Sequence, residues 1–269
     1  MKLKDRVALV VGGARGIGRS GCLALAKEGA LIAVADRQGE EALALVSELE
    51  KSGTRAIGMK VDVTKPDDIA MMMEKVVGSF GGINILFHTA GWGNFQPFWD
   101  ISQKEWNRMI DVNLTGTFFV AQAVAKQMMA QKKGGKIILT GSNGAVTNCN
   151  RLSHYCVTKA GVAMLTKCMA AELGNLRINV NVINPGPIET DMTKPMLKEP
   201  KFQKMLKSTT PLGRWGNPEE VGKLVVFLAS DDADFINGQA INIDGGITLP
   251  TVPAWFPIDY TKDNEVDWV

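Results

Sequence analysis

Runs of consecutive apolar residues alternate along the chain with longer stretches in which apolar residues recur at helical spacing. The first run, RVALVV at residues 6 to 11, leads into glycines, and GRSGCLALAKEGA at residues 18 to 30 has the periodicity of a helix closed by glycine. The alternation continues, with helices predicted in EEALALVSELEKSG and DDIAMMMEKVVGSF and strands predicted in LIAVAD, RAIGMKVD, INILFHTAG, GKIILTGS, INVNVINPG and GQAINIDGG.

Seven apolar strands joined by helices predict an α/β fold, a doubly wound, parallel, seven-stranded sheet of the Rossmann-like type. Each crossover helix covers a face of the sheet, and strands that are apolar throughout fit burial on both faces. The pattern predicts a single domain over residues 1 to 247, which includes a lid insertion of mixed helical and turn character at residues 190 to 215. Residues 248 to 269 are a C-terminal tail whose aromatic residues we expect to dock on the protein.

The composition narrows the class of protein and its partners. Of 269 residues 45% are hydrophobic, and 30 Lys and Arg residues nearly balance 28 Asp and Glu residues. A net charge of +2 gives no field that would attract nucleic acid or an anionic membrane. No apolar run approaches the roughly 18 residues of a membrane span, and the basic start lacks a signal-peptide core. We expect a soluble, cytoplasmic protein without nucleic-acid or membrane partners.

The four cysteines show no pattern typical of a metal site. They have no Cys-x-x-Cys spacing and no partner histidines at the intervals of a zinc site. We therefore predict reduced thiols and no metal. Cys156 adjoins Tyr155 in the sequence and is the thiol that could react near a site.

A glycine-rich turn links the first predicted strand to the first predicted helix. In this setting the glycines of VGGARGIG, residues 11 to 18, let the backbone turn sharply and approach a diphosphate. The helix N-terminus supplies amide donors and a favourable dipole. The segment predicts a dinucleotide-binding turn, with a simple tight turn as the alternative, and the residues assigned to it are Gly12, Arg15, Gly16, Ile17 and Gly18.

An acidic residue ends the second predicted strand. Asp36 lies eighteen residues after Gly18, where a carboxylate would accept hydrogen bonds from the adenosine ribose and repel a 2′-phosphate. The position favours NAD over NADP as the cofactor. Arg15 and Arg37 flank the same region and could hold a phosphate if Asp36 turned aside, so NADP stays as the alternative.

The segment HYCVTK, residues 154 to 159, places a phenol and an ammonium one helical turn apart. Positions i and i+4 lie on the same face of a helix, so Tyr155 and Lys159 would project side by side. Both residue types are common on amphipathic helices. The spacing alone therefore fits either chemistry or packing.

Together with the glycine turn, this segment resembles the short-chain dehydrogenase/reductase family in its compact, single-domain form. That family pairs a Gly-x-x-x-Gly-x-Gly turn with a Tyr-x-x-x-Lys site and a serine thirteen residues before the tyrosine. Ser142 stands thirteen residues before Tyr155, and the segment DVNLTG gives Asn113 the context of the family's asparagine. The resemblance covers roughly residues 3 to 247.

The resemblance implies hydride transfer between NAD and a secondary alcohol or ketone, with Asn113, Ser142, Tyr155 and Lys159 as the catalytic residues. Free tyrosine has a pKa near ~10, so it is a poor base unless positive charge from Lys159 and oxidised nicotinamide stabilises its phenolate. Lys159 would also hold the nicotinamide ribose. Ser142 would hydrogen-bond the substrate oxygen, and Asn113 would anchor a water that passes protons from Lys159 towards solvent.

The remaining cofactor residues implied by the resemblance follow the strand ends. NPGPIET, residues 184 to 190, matches the family's Pro-Gly turn, in which Thr190 would bond the nicotinamide carboxamide; a helix cap is the alternative for that residue. Asp62 at the end of the third strand could contact adenine. The other predicted cofactor contacts are Arg37, Val63, Ala90, Gly91, Tyr155, Pro185, Gly186 and Ile188.

Two segments depart from the family's pattern. The family commonly has threonine before the first glycine and Asn-Asn-Ala-Gly after the fourth strand, whereas this chain has Val11 and the segment HTAG at residues 88 to 91. We expect Val11 and His88 to share one local environment and His88 to be a satisfied core histidine. His154 is expected to be structural or interfacial, because on a helix it points away from its neighbour Tyr155.

The predicted substrate pocket lies over the nicotinamide. Its polar side chains would serve a polyol and its apolar ones a ring or chain, and the sequence does not choose between them. Methionines of the insertion could form an adaptable apolar lid or simply pack it on the domain. The predicted substrate contacts are Ser142, Tyr155, Asn94, Asn148 and Leu152, and the lid candidates are Met192, Met196 and Met205.

The sequence leaves two alternatives to the expected activity. A reductase of the same chemistry linked to NADP is one alternative, and a non-catalytic protein that senses NAD(H) is the other, although the complete tetrad favours turnover.

Members of the family are commonly tetramers built through two long helices. The corresponding segments GTFFVAQAVAKQMMAQ and AGVAMLTKCMAAEL carry more apolar surface than one sheet face needs, so we expect a homotetramer.

Overall fold

The protein folds around a parallel sheet, as seen in a computed structural model that describes residues 1 to 191 and 193 to 249. Over these residues seven strands form one sheet in the order β3-β2-β1-β4-β5-β6-β7. The predicted doubly wound, Rossmann-like α/β fold is confirmed. The strands are Val7–Val11 (β1), Leu31–Asp36 (β2), Ala56–Lys60 (β3), Ile85–His88 (β4), Gly135–Thr140 (β5), Ile178–Pro185 (β6) and Ala240–Ile243 (β7).

Helices form the crossover connections on both faces of the sheet. A π-helical turn at Asp111–Thr115 joins α4 to α5, so that these two elements run on without a break. The helices are Gly16–Lys27 (α1), Gly39–Lys51 (α2), Pro66–Phe80 (α3), Gln103–Ile110 (α4), Gly116–Gln131 (α5), Ser153–Leu173 (α6), Lys194–Leu197 (α7), Pro200–Thr209 (α8) and Pro218–Ala229 (α9).

The sheet separates two hydrophobic cores. Successive side chains of a strand point to opposite faces, so Leu9 and Val11 of β1 join one core while Ala8 and Val10 join the other. Helices α3, α5 and α6 cover the first face, and helices α1, α2 and α9 cover the second. Representative buried side chains are Met72, Val124 and Val162 in the first core and Leu25, Leu49 and Val225 in the second.

The strand order reverses between β1 and β4. Strand β1 pairs with β2 on one side and with β4 on the other, and in open α/β sheets ligands bind beyond the carboxyl ends of the strands at such a point. The loops after β1 and β4 meet here very closely. Gly12 has φ 79°, and a Cβ built on it would lie 2.5 Å from the amide nitrogen of Ala90, so only glycine fits.

The predicted insertion after β6 contains α7 and α8. The ring of Phe202 on α8 stacks on Trp215, with 5.5 Å between centroids, and Met205 is exposed. Met192, the side chain of Met196 and residues 250 to 269 lie outside what the structure describes. The methionine lid and the docking of the tail therefore stay predictions.

The longest helix of the described residues is α6, with 21 residues. It carries the charged residues Lys159, Lys167 and Glu172 along its length. Across residues 1 to 191 and 193 to 249, no helix combines the length and apolar character needed to cross a membrane.

Candidate active site

The four residues predicted as catalytic come from separate elements that meet at the carboxyl end of the sheet. Ser142 follows β5, Asn113 lies in the π-helical turn, and the first two turns of α6 carry Tyr155 and Lys159. Nζ of Lys159 lies 5.6 Å from the centroid of the Tyr155 ring. A Cβ built on Gly91, in the loop after β4, would lie 3.5 Å from both Nζ of Lys159 and Oδ1 of Asn113.

Ser142 is held by its own turn and by the neighbouring strand. Its Oγ donates to Oδ1 of Asn143 (3.1 Å) and accepts from the amide of Gly144 (3.0 Å). Its amide donates to Oδ1 of Asn184 at 3.3 Å, and Asn184 in turn donates to Oδ1 of Asn242 at 3.0 Å. Sequence reasoning missed Asn184, although a polar residue in the apolar strand β6 was its visible signal.

Asn113 holds the loop that follows β4. Its Oδ1 accepts from the amide of Trp92 and its Nδ2 donates to the carbonyl of Trp92, both at 2.8 Å. Nδ2 also lies 3.3 Å from Oγ1 of Thr158, and the backbone carbonyl of Asn113 accepts from Oγ1 of Thr117. The side-chain amide is therefore engaged in positioning Trp92, and the water relay implied for Asn113 stays a prediction.

Lys159 is buried beneath the loop after β4. Nζ donates to the carbonyl of Thr140 at 2.9 Å, and an ammonium has three donors. Burial lowers the pKa of Lys159 to about 8, because desolvation disfavours the charged form. At neutral pH the side chain is therefore still largely cationic, beside the Tyr155 ring.

Tyr155 is a proton donor in the structure as it stands. Desolvation raises the pKa of the phenol above its usual value, and the nearby Ser142 hydroxyl opposes the shift without overcoming it. Tyr155 is therefore protonated at neutral pH. The phenolate required of a base would need further positive charge, of the kind an oxidised nicotinamide carries.

The glycine turn and the start of α1 fit a diphosphate. Among the described residues no side chain caps α1, no acidic residue occupies its first turn, and Arg15 is the N-cap. The first amides of the helix are thus available to an anion. Gly16 has φ 52°, and a Cβ on it would lie 3.3 Å from Cγ2 of Thr190, which places the predicted carboxamide-binding residue against the turn.

Asp36 is fixed at the end of β2 by two backbone amides. Oδ2 accepts from Ala14 and Oδ1 accepts from Gln38, each at 3.0 Å. Both carboxylate oxygens therefore hold the acid beside the glycine turn. Arg15 and Arg37 are exposed to solvent in the same region.

The residues predicted near adenine border a groove of about 630 Å³. Asp62 accepts from the amide and the hydroxyl of Thr64, at 3.0 and 2.7 Å. Burial raises the pKa of Asp62, but the Thr64 hydrogen bonds and the charges of Lys65 and Arg37 outweigh it and lower the pKa overall. Among the groove's residues are Arg37, Asp62, Thr64, Asn107 and Arg108.

Other predicted cofactor residues lie at the edges of this crevice. The side chain of Val63 is buried against Gly116. Pro185 ends β6, the amide of Gly186 donates to Ile243, and Ile188 is buried. The amide of Thr190 donates to Oγ1 of Thr193 at 2.8 Å. Ile17 packs at the edge of the core beneath α1.

The predicted substrate residues sit on two loops that are joined to each other. The amide of Gln96 donates to the carbonyl of Arg151 at 2.7 Å, which ties the loop after β4 to the loop before α6. Asn94 donates through Nδ2 to Glu105 at 3.2 Å. Asn148 is exposed and Leu152 is half-buried. The two loops form one wall beside Tyr155, whose ring lies 3.6 Å from a Cβ position on Gly93.

His88 is buried without a complete set of hydrogen bonds. It ends β4 in register with Val11, so these two departures from the family pattern are neighbours. Nε2 has no hydrogen-bond partner among the described residues, so the expectation of a satisfied core histidine is wrong. Burial and then the charge of Lys159 lower the pKa of His88 to about 3.

His154 is also fully buried, and neither of its ring nitrogens has a hydrogen-bond partner in the described part of the chain.

The burial of His88 predicts a loss of stability in mild acid. The pKa of His88 is 6.5 in the unfolded chain and about 3 in the folded protein. Below pH 6.5 the unfolded state therefore binds a proton that the folded state does not bind. The free energy of unfolding should fall with pH by about 1.4 kcal/mol per unit in this window. His88→Asn removes that titration. Urea unfolding should show that the free energy of unfolding falls between pH 7 and pH 5 by about 2 kcal/mol less in the variant than in the wild type. Equal decreases in the two proteins would contradict the prediction.

Comparison with known proteins identifies the family to which this chain belongs. A family model described as enoyl-(acyl carrier protein) reductase matches residues 12 to 248. The chain belongs to the short-chain dehydrogenase/reductase family, whose members are oxidoreductases.

Relatives within the family differ in substrate. The 3-oxoacyl-(acyl-carrier-protein) reductase of Thermotoga maritima is 36% identical over 93% of this chain and 100% of its own length. The 5-keto-D-gluconate 5-reductase of Escherichia coli is 36% identical over 92% of this chain and 97% of its own. The solved structure of a gluconate 5-dehydrogenase from Burkholderia cenocepacia, in complex with NADP and tartrate, is 35% identical with a TM-score of 0.89, over 93% of this chain and 98% of that one.

Proposed function

We propose that the protein interconverts a secondary alcohol and a ketone on a small molecule by hydride transfer with NAD, and that Tyr155 is the acid/base. The observation that carries this proposal is that Lys159 lies against Gly91, Tyr155 lies against Gly93, and the Ser142 hydroxyl is near Tyr155. These glycines leave room over the site where a side chain would stand. A bound nicotinamide would accept or supply the hydride.

The proposed roles follow from the contacts of the three side chains. Tyr155 holds a proton at neutral pH and gives it to the ketone oxygen in reduction. Ser142 donates to Asn143, and turning that hydroxyl towards the substrate would stabilise charge developing on its oxygen. Lys159 is cationic beside the ring, so it favours the phenolate that the reverse reaction needs.

The proposed preference for NAD rests on Asp36. Because the amides of Ala14 and Gln38 hold both carboxylate oxygens, the acid is not free to turn aside. A 2′-phosphate at this position would face a fixed negative charge. NADP is the second candidate, since exposed Arg15 and Arg37 lie nearby and a relative of known structure was solved with NADP.

For the substrate class we favour a small hydroxylated ketone of the sugar-acid type. Two relatives carry names that specify ketogluconate or gluconate as substrate. The wall beside Tyr155 offers amide groups from Asn94 and Asn148, which can hydrogen-bond hydroxyls. A binding protein that merely senses NAD(H) has no need of the complete tetrad.

The proposed assembly is a homotetramer. Helices α5 and α6 expose large apolar side chains that a monomer would leave in water, and clusters of this kind mark interaction surfaces. The exposed residues are Phe118 and Phe119 on α5 and Val157 and Met164 on α6.

The test of the function is cofactor binding followed by turnover. NADH and NADPH are titrated by fluorescence, and the preferred cofactor is then offered with 5-keto-D-gluconate, an acetoacetyl thioester, a cyclic ketone and a steroid ketone. We expect tighter NADH binding and turnover of the hydroxylated ketone. Tight NADH binding without turnover of any ketone would favour the sensing role, and preference for NADPH would favour the second candidate.

A further inference from the structure

Two cysteines lie together in the wall of the candidate active site. A Cβ built on Gly144 would lie 3.2 Å from Sγ of Cys156 and 3.6 Å from Sγ of Cys149. The same point is 3.4 Å from Oγ of Ser142. The two thiols and the Ser142 hydroxyl therefore surround one backbone position. No step of the proposed reaction uses either thiol.

Both cysteines are partly open to solvent and lie seven residues apart in the chain. Cys149 and Cys156 are each partly exposed, whereas Cys22 is buried. Cys149 lies in the loop before α6 and Cys156 in the first turns of that helix, so a short segment separates them. The carbonyl of Cys149 accepts from Leu152, and the carbonyl of Leu152 accepts from Cys156, which folds the segment back on itself.

We propose that Cys149 and Cys156 form a reversible disulfide under oxidation and that this modification stops turnover. The oxidant we name is a small disulfide such as glutathione disulfide. The cross-link is independent of the proposed function; only its effect on turnover rests on that function.

The exchange proceeds in two balanced steps. The Cys156 thiolate attacks one sulfur of glutathione disulfide, forming a mixed disulfide and releasing one glutathione thiolate. Cys149 then loses its proton to solvent and attacks the sulfur of Cys156, which expels the second glutathione. The pair loses two electrons and two protons, and the glutathione disulfide is reduced to two thiols. Burial, followed by the neighbouring Cys156, raises the pKa of Cys149 to about 11, so the second attack falls to Cys149.

The disulfide would change the geometry of the site. An S–S bond is about 2.05 Å long, so its formation draws the loop that carries Asn148 onto the start of α6. Tyr155 immediately precedes Cys156. The Ser142 hydroxyl lies 3.4 Å from the same Cβ position on Gly144 that both sulfurs approach. Displacements of about 1 Å at such groups can lower a rate by ~100-fold.

The experiment treats the reduced, full-length protein with glutathione disulfide and maps its peptides by mass spectrometry. We expect a Cys149–Cys156 cross-link in the wild type and in Cys168→Ser, whose thiol lies elsewhere on α6. Turnover should fall at least about tenfold and return with dithiothreitol. Cys149→Ser should stop at the glutathione adduct on Cys156 and form no cross-link. Cys156→Ser lacks the attacking thiol and should keep its turnover in the oxidant, with Cys156→Ala as the second variant if serine is not tolerated.

Two results would overturn the proposal. One is that both thiols stay free, or carry only separate glutathione adducts, after the oxidant has reacted with Cys168. The other is that the cross-link forms while turnover is unchanged. Failure of the proposed function would look different, because the reduced protein would then show no turnover while the cross-link formed as expected.

Discussion

Replacing Tyr155 by phenylalanine should lower kcat by about 10²- to 10⁴-fold, the usual contribution of a general acid or base. The variant keeps the ring that packs beside Gly93 and removes only the hydroxyl. Of the neighbouring groups in the described residues, Ser142 is a far weaker acid, and the Lys159 ammonium already donates to the carbonyl of Thr140. Initial rates of ketone reduction with saturating NADH measure the effect.

Cofactor binding separates a chemical role for Tyr155 from damage to the fold. The glycine turn and Asp36 are unchanged in Tyr155→Phe, so its affinity for NADH should stay close to that of the wild type. Glu172→Ala is the matched control, because it removes an exposed side chain near the far end of the same helix and should leave kcat unaltered. A Tyr155→Phe enzyme with more than about a tenth of wild-type kcat would contradict the acid/base role.

Removing the charge of Asp36 should weaken the discrimination against NADPH. In Asp36→Asn the side chain keeps its shape but no longer repels a 2′-phosphate, which the exposed Arg15 and Arg37 can then attract. The ratio of kcat/KM for NADH to that for NADPH should fall by at least about tenfold, which corresponds to 1.4 kcal/mol. An asparagine can accept only one of the two amide hydrogen bonds, so Asp36→Ser serves as a second variant.

Asp62 provides the control for this change. It is also an acid after a strand end, but its carboxylate accepts hydrogen bonds from Thr64 in the groove predicted to hold adenine. Asp62→Asn should therefore alter the two cofactors' affinities by similar factors. An unchanged NADH-to-NADPH ratio in both Asp36 variants, with normal thermal unfolding, would show that Asp36 does not set the preference.

The fold could be predicted because its signals are local and repeated. Each predicted strand is a short apolar run next to a glycine or an acid, and a buried parallel strand needs little more. The helix predicted in DDIAMMMEKVVGSF was located within one residue of its start, since Pro66 at the first turn and Gly81 after the last residue are strong boundary signals. The π-helical turn at Asp111–Thr115 has no such signal and was not foreseen.

In the candidate site, the sequence predicts the reactive residues but not their hydrogen-bond partners. Spacing and resemblance predict that Tyr155, Lys159 and Ser142 lie together, because their positions follow from helix geometry and strand order. The partners of those residues depend on the packing of distant segments. The hydrogen bonds of Asn113 to Trp92 and of Ser142 to Asn184 are of this kind. The meeting of Cys149 with Cys156 depends on the fold of one loop, which no periodic pattern describes.

The place of β1 in the sheet bears on how the chain folds as it is synthesised. Of the seven described strands, β1 leaves the ribosome first, yet it lies in the middle of the sheet, and its second neighbour, β4, begins only at Ile85. At about 5–20 residues per second, one edge of β1 waits for several seconds without a partner. An apolar strand with open hydrogen-bonding groups invites pairing with other chains. The demand of this protein on chaperones should thus be greatest early in translation, before the crevice exists.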